Sequence, residues 1–80
     1  MSNIIYTEVL FNELRRGDVF QLKDQKIDGY LEFVAKMEII DFENTEYLSA
    51  IIITPNNESV KFQYPKDHIV HKINKEAIAQ

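Results

Sequence analysis

Short alternating runs of apolar and polar residues fill this chain, and little of it has helical spacing. The clearest run is Leu31, Phe33, Ala35, Met37 and Ile39 on one parity, with Glu32, Lys36 and Glu38 on the other. A period of two marks a strand with one buried face, so 31–39 is predicted as a strand with those five side chains inward. The parity flips at Ile39-Ile40, since Ile40 and Phe42 are apolar and Asp41 is not. One extra residue there would be a β-bulge, which bends a strand sharply enough to close a small barrel. Ile5, Thr7, Val9 and Phe11 alternate with Tyr6, Glu8 and Leu10, which predicts a first strand over 4–11. Its β-branched and aromatic start outweighs the helical spacing of Leu10 and Leu14. A second strand covers 19–23. The run 47–54 scarcely alternates and reads as a strand buried on both faces, while Val60, Phe62 and Tyr64 form the inward face of a fifth. A sixth spans 68–73. Between them lie the polar turn 24–29, an acidic loop over 41–46, a hairpin turn at Pro55-Asn56-Asn57-Glu58 and a turn at Pro65-Lys66-Asp67.

The segment Phe11-Asn12-Glu13-Leu14-Arg15-Arg16-Gly17-Asp18-Val19-Phe20 reads as strand, one tight turn, strand. Asn12 is short and polar, suited to capping a single helical or 3₁₀ turn. Leu14 plugs the turn from below, and Gly17 supplies the positive φ that ends it. Asp18 can bond back to the turn, which leaves Arg15 and Arg16 at the exposed tip. The bland reading is a connector; the functional one is a small phosphate-contacting site.

Together these elements predict an all-β chain: a small antiparallel barrel of five to six strands with one short helical turn. At 80 residues it is one domain. The barrel is expected over 1–73, with 74–80 a flexible or short helical tail. A 45% hydrophobic content suffices for one core. The chain has no cysteine, hence no disulfide framework and no thiolate metal site. The opening Met1-Ser2-Asn3-Ile4 has no basic region followed by a long apolar run, and Ala50-Ile51-Ile52-Ile53 is far too short to span a bilayer. A cytoplasmic location is the expectation.

The net charge of −4 argues against a general nucleic-acid binder, whose affinity comes from phosphate contacts. The charge is uneven. Asp28, Glu32, Glu38, Asp41, Glu43, Glu46 and Glu58 fill the middle of the chain, with Lys36 the base among them; Lys61, Lys66, Lys72 and Lys75 lie beyond it. An acidic middle suits a protein partner with a basic patch.

The pattern of the 11–20 segment is an aromatic, a small polar residue, an acid, Leu, a basic residue, any residue, Gly-Asp, any residue and Phe. It resembles one found in small SH3-like or KOW-like barrel proteins of bacteriophages and mobile elements. The strand beginning Leu31-Glu32-Phe33-Val34-Ala35-Lys36 and the segment Phe62-Gln63-Tyr64-Pro65 followed by a short strand extend the resemblance. It implies a phage-type accessory protein and brings no catalytic residue with it. The acidic connection after the third strand departs from that pattern.

Catalytic and metal chemistry find little support. Asp41, Glu43 and Glu46 lack the glycine and the terminal bidentate acid of a calcium loop. His68 and His71 are three apart, which on a strand sets them on opposite faces, with no third ligand nearby. Ser2, Ser49 and Ser59 have no positioned base, and there is no glycine-rich phosphate loop. No metal, cofactor or enzymatic activity is therefore expected. Tyr6, Tyr30, Tyr47 and Tyr64 could line a single-strand stacking platform if they lay beside Lys61 and Lys66; ordinary half-buried tyrosines are the alternative.

Three functions remain. The first is stoichiometric binding to a protein partner (a host enzyme, a defence factor or the transcription machinery) through Asp41, Glu43 and Glu46. The second is a KOW-like nucleic-acid module using Arg15, Arg16, Lys61 and Lys66, and the third is a virion-structural or self-associating component, as a monomer or small homo-oligomer.

Overall fold

A computed structural model of the protein describes residues 6–23 and 29–74. Six strands run through them: β1 (Tyr6–Leu10), β2 (Val19–Leu22), β3 (Leu31–Phe42), β4 (Thr45–Ile53), β5 (Ser59–Pro65) and β6 (Ile69–Ile73). A 3₁₀ turn, Phe11–Glu13, follows β1. All pairings are antiparallel and the strand order is β1-β6-β2-β3-β4-β5. The expected all-β class with one short helical turn is what the structure shows. Among the described residues no pairing joins β1 to β5, so the strands form one curled sheet with two free edges. The predicted start of the first strand before Tyr6, most of the 24–29 turn and the tail beyond Asn74 lie outside the described residues.

Phe11 makes the sheet curl. It is fully buried, and its ring meets Phe20 of β2, Phe33 of β3 and Phe62 of β5 edge-on at 5.9 Å each, and Tyr64 of β5 at 5.4 Å. Strands at separate places in the order thus close on one aromatic centre. Leu14, Leu22, Leu31, Leu48, Ala50, Ile52 and Val70 complete the cluster.

The turn that positions Phe11 is built much as its sequence implies. Leu14 is fully buried, and Gly17 has φ 91° with its N–H donating to Phe33 C=O at 2.8 Å. Asp18 Oδ2 accepts from Arg15 N–H at 2.8 Å. The cap differs. Asn12 lies inside the turn, and it is Glu13 whose Oε1 accepts the Leu10 N–H at 2.8 Å. A carboxylate at the third position of the turn can reach back to the free donor at its start, whereas a short capping side chain would have to stand at position 10, which is Leu. The Asn12 N–H instead donates to Lys66 C=O, and Lys36 Nζ donates to Asn12 C=O.

β3 also departs from the simple alternation. Register shifts fall between Phe33 and Ala35 and between Lys36 and Glu38, not at Ile39-Ile40. Two early irregularities reverse the facing twice. Leu31 and Phe33 are buried as expected, but Ala35, Met37 and Ile39 are exposed. A strand this long, about 40 Å at 3.3 Å per residue, outruns the core, so apolar parity near its end no longer implies burial. The extents of 44 × 23 × 20 Å reflect that length. On β5, Tyr64 is buried and Phe62 half-buried, while Val60 is exposed at the far end of the strand.

Candidate functional site

The predicted acidic loop is a hairpin tip. β3 and β4 stay paired through Asp41↔Glu46 and Phe42↔Thr45, which leaves Glu43-Asn44 as a two-residue turn. Their φ values are 49° and 64°. Two positive φ angles define a type I′ turn, whose twist matches that of paired strands. Asn suits that conformation; Glu, with its Cβ and longer side chain, does not. A hairpin therefore replaces the loop because the chain needs only two residues to reverse, and Asn44 supplies half of the required backbone.

All three predicted acids are exposed. Asp41 and Glu46 sit directly opposite each other, an unfavourable like-charge pair. Lys66, just past β5, offsets it. Its Nζ lies 3.2 Å from Glu46 Oε1 and 3.6 Å from Asp67 Oδ1. The hydrogen bond to Glu46, with the charges of Asp67 and Glu46, raises the Lys66 pKa above 10.5. The backbone follows the same path, Lys66 N–H donating to Glu46 C=O at 3.0 Å. Among the described residues Asp41 and Glu43 have no cation within ion-pair distance.

The basic residues are not gathered. Arg15 and Arg16 are exposed on the turn before β2. Lys61 lies on β5, five residues and therefore about 17 Å from Lys66 along extended chain, on the opposite parity. Lys66 is already engaged with two acids. The tyrosines are scattered too. Tyr64 is core, while Tyr6 stacks on His71 at 4.0 Å near the β1 edge. His71 Nε2 lies 3.5 Å from Glu8 Oε2, which also faces Lys23. His68 stands outside β6 with its ring against Tyr64. Among the described residues no group of three metal-ligating side chains comes together, and no helix is long and apolar enough to cross a membrane.

One feature of the hairpin escaped the sequence reading. Ile40 and Phe42 of β3, Tyr47 of β4 and Gln63 of β5 line a notch of about 210 Å³ on the outer face of the sheet. Phe42 is 60% exposed there. Its signal was the parity flip at Ile39-Ile40, which places apolar residues inside an acidic stretch. No protein-family model matches the chain, and neither a curated protein nor a solved structure shows significant similarity to it.

Proposed function

We propose that this chain is a non-catalytic, phage-type accessory protein that binds a protein partner stoichiometrically, with the acidic β3–β4 hairpin meeting a basic patch. The observation that carries this reading is Glu43. It holds φ 49° in a turn where Asn or Gly is less strained. Backbone strain of this kind costs on the order of 1–3 kcal/mol and clusters where function requires the side chain. The turn sets Glu43 at the extreme end of the hairpin, with Asp41 beside it and no described cation on either. Exposed like charges at a protruding end speed encounter with a basic surface and make it salt-sensitive. The resemblance of the 11–20 segment to phage barrel proteins supports the accessory role.

The test uses the whole chain and a variant with Asp41→Ser, Glu43→Gln and Glu46→Gln. Proteins captured from a bacterial lysate are identified by mass spectrometry. Their affinities for both chains, and those of single-stranded DNA, are then measured at two salt concentrations. The triple variant should lose affinity for the captured protein and flatten its salt dependence. Unchanged binding refutes the site. Tighter DNA binding by the triple variant, abolished by Arg15→Ala with Arg16→Ala, refutes the reading in favour of nucleic acid.

A further inference from the structure

Strand β5 ends the sheet, and its backbone shows which of its groups are free. Lys66 N–H donates to Glu46 C=O, and Glu58 C=O accepts from Thr54 N–H at 2.8 Å. Hydrogen-bonded pairs alternate along an antiparallel ladder. Even-numbered residues of β5 therefore turn their N–H and C=O toward β4. Ser59, Lys61, Gln63 and Pro65 turn theirs outward. Pro65 fits this phase, since a proline inside a sheet belongs where its missing N–H would have faced solvent. The outward donors and acceptors of Lys61 and Gln63 form a short free edge.

This edge adjoins the apolar notch. Gln63 belongs to both, and Ile40, Phe42 and Tyr47 continue from it across the outer face. The charges around the two are asymmetric. Glu43 and Asp41 lie toward the Pro65 end of β5, where Tyr47 pairs with Pro65. Lys66 lies there too, held by Glu46 and Asp67. Lys61 lies toward the other end beside Glu58, about 13 Å away, so the Pro65 end is the more acidic.

We infer that β5 accepts an extended segment of the partner as an added strand. An apolar side chain of that segment enters the notch of Ile40, Phe42 and Tyr47, and a lysine or arginine lies toward the hairpin tip. Backbone pairing would supply affinity and the notch specificity, as in other cases of strand addition. A second copy of this chain is a poorer occupant. It would bring together two chains of net charge −4. A basic-and-apolar segment instead meets opposite charge at one end. The inference rests on the protein-binding reading above, but it can fail separately.

The probe is a positional-scanning library of nine-residue synthetic peptides, measured by fluorescence anisotropy against the whole chain. Selected peptides should carry a Leu or aromatic residue at a central position and Lys or Arg toward one end. Amide resonances of Lys61 and Gln63 should shift on binding. Gln63→Pro removes one outward N–H without removing a β4 hydrogen bond, and should weaken the selected peptides tenfold or more. Phe42→Ser should do likewise, with both variants melting near wild type. N-methylated peptides should not bind. A library with no selected peptide overturns the inference, as do peptides unaffected by Gln63→Pro. A homodimer in sedimentation equilibrium that Gln63→Pro dissociates overturns it in favour of a second copy. If Gln63→Pro leaves capture of the lysate partner intact while the acidic triple variant abolishes it, strand addition fails and the acidic-hairpin reading stands. The reverse pattern refutes the acidic hairpin alone.

Discussion

At Gly29 and Ser49 single atoms decide local stability. Gly29 has φ 99°, and a Cβ added there would stand 2.9 Å from Pro55 Cβ. The glycine therefore lets the chain entering β3 lie against the turn between β4 and β5. Gly29→Ala should cost about 1–2 kcal/mol through left-handed backbone alone, and the clash with Pro55 adds to that. A thermal melt should show a fall of several degrees, and a melt equal to wild type would show that the contact with Pro55 is dispensable. Ser49 presents the opposite case. It is fully buried in β4, and its Oγ has no hydrogen-bond partner among the described residues. A buried hydroxyl without a partner costs on the order of 1–3 kcal/mol. Ser49→Ala removes the hydroxyl and leaves the small shape, so it should raise the melting temperature. A drop would mean that the hydroxyl finds a partner in solution.

Elements were legible where one local rule governed them. The turn around Leu14 and Gly17 follows from backbone conformation and a buried plug, and the hairpin turn at 55–58 from its proline and asparagines. There Asn57, at φ 67°, donates its N–H to Thr54 C=O. β4, expected to be buried on both faces, buries Leu48, Ser49, Ala50 and Ile52, while Tyr47, Ile51 and Ile53 are only half-buried. What stayed hidden depends on partners far away in sequence. Ala35, Met37 and Ile39 keep an alternating spacing in sequence, yet nothing in that spacing tells that two register shifts re-aim the strand among them, or how far the core extends beneath it. The link between Lys66 and Glu46 joins residues 20 apart, one from the candidate nucleic-acid set and one from the candidate protein-binding set. That link carries a pH dependence. The Lys66 pKa is raised in the folded chain, mainly by Glu46. Its contribution to stability is thus fully present below the unfolded value near 10.5 and is lost as pH rises through the higher folded value. Wild type minus Glu46→Gln, compared by denaturant melts from pH 8 to 11, should narrow at the alkaline end. A constant difference would mean that the pair does not hold the hairpin.

Across the whole molecule, anchoring and charge are unevenly distributed. The core surrounds Phe11 and reaches Leu48 and Tyr64, while the hairpin beyond Ile40 and Tyr47 projects past it. That end carries Asp41, Glu43 and Glu46, with Lys66 as its one described counterion. Local opening needs little free energy where few apolar side chains are buried. Amides of Ala50 and Ile52 should therefore exchange only with global unfolding, and those near Phe42 and Thr45 far sooner. Added salt changes the two regions differently. Repulsion among exposed acids is screened over about 8–10 Å at physiological ionic strength, so raising salt should slow exchange at the hairpin tip and leave the core amides nearly unchanged. The same salt should weaken capture of a basic partner, because the charges that strain the free hairpin are the ones that attract its ligand. Hydrogen exchange read by NMR at low and high salt, beside partner affinity in the same buffers, checks both halves. If exchange at the tip ignores salt while affinity falls, the acids attract a partner without destabilising the hairpin. If neither responds, the hairpin's charge has no part in binding.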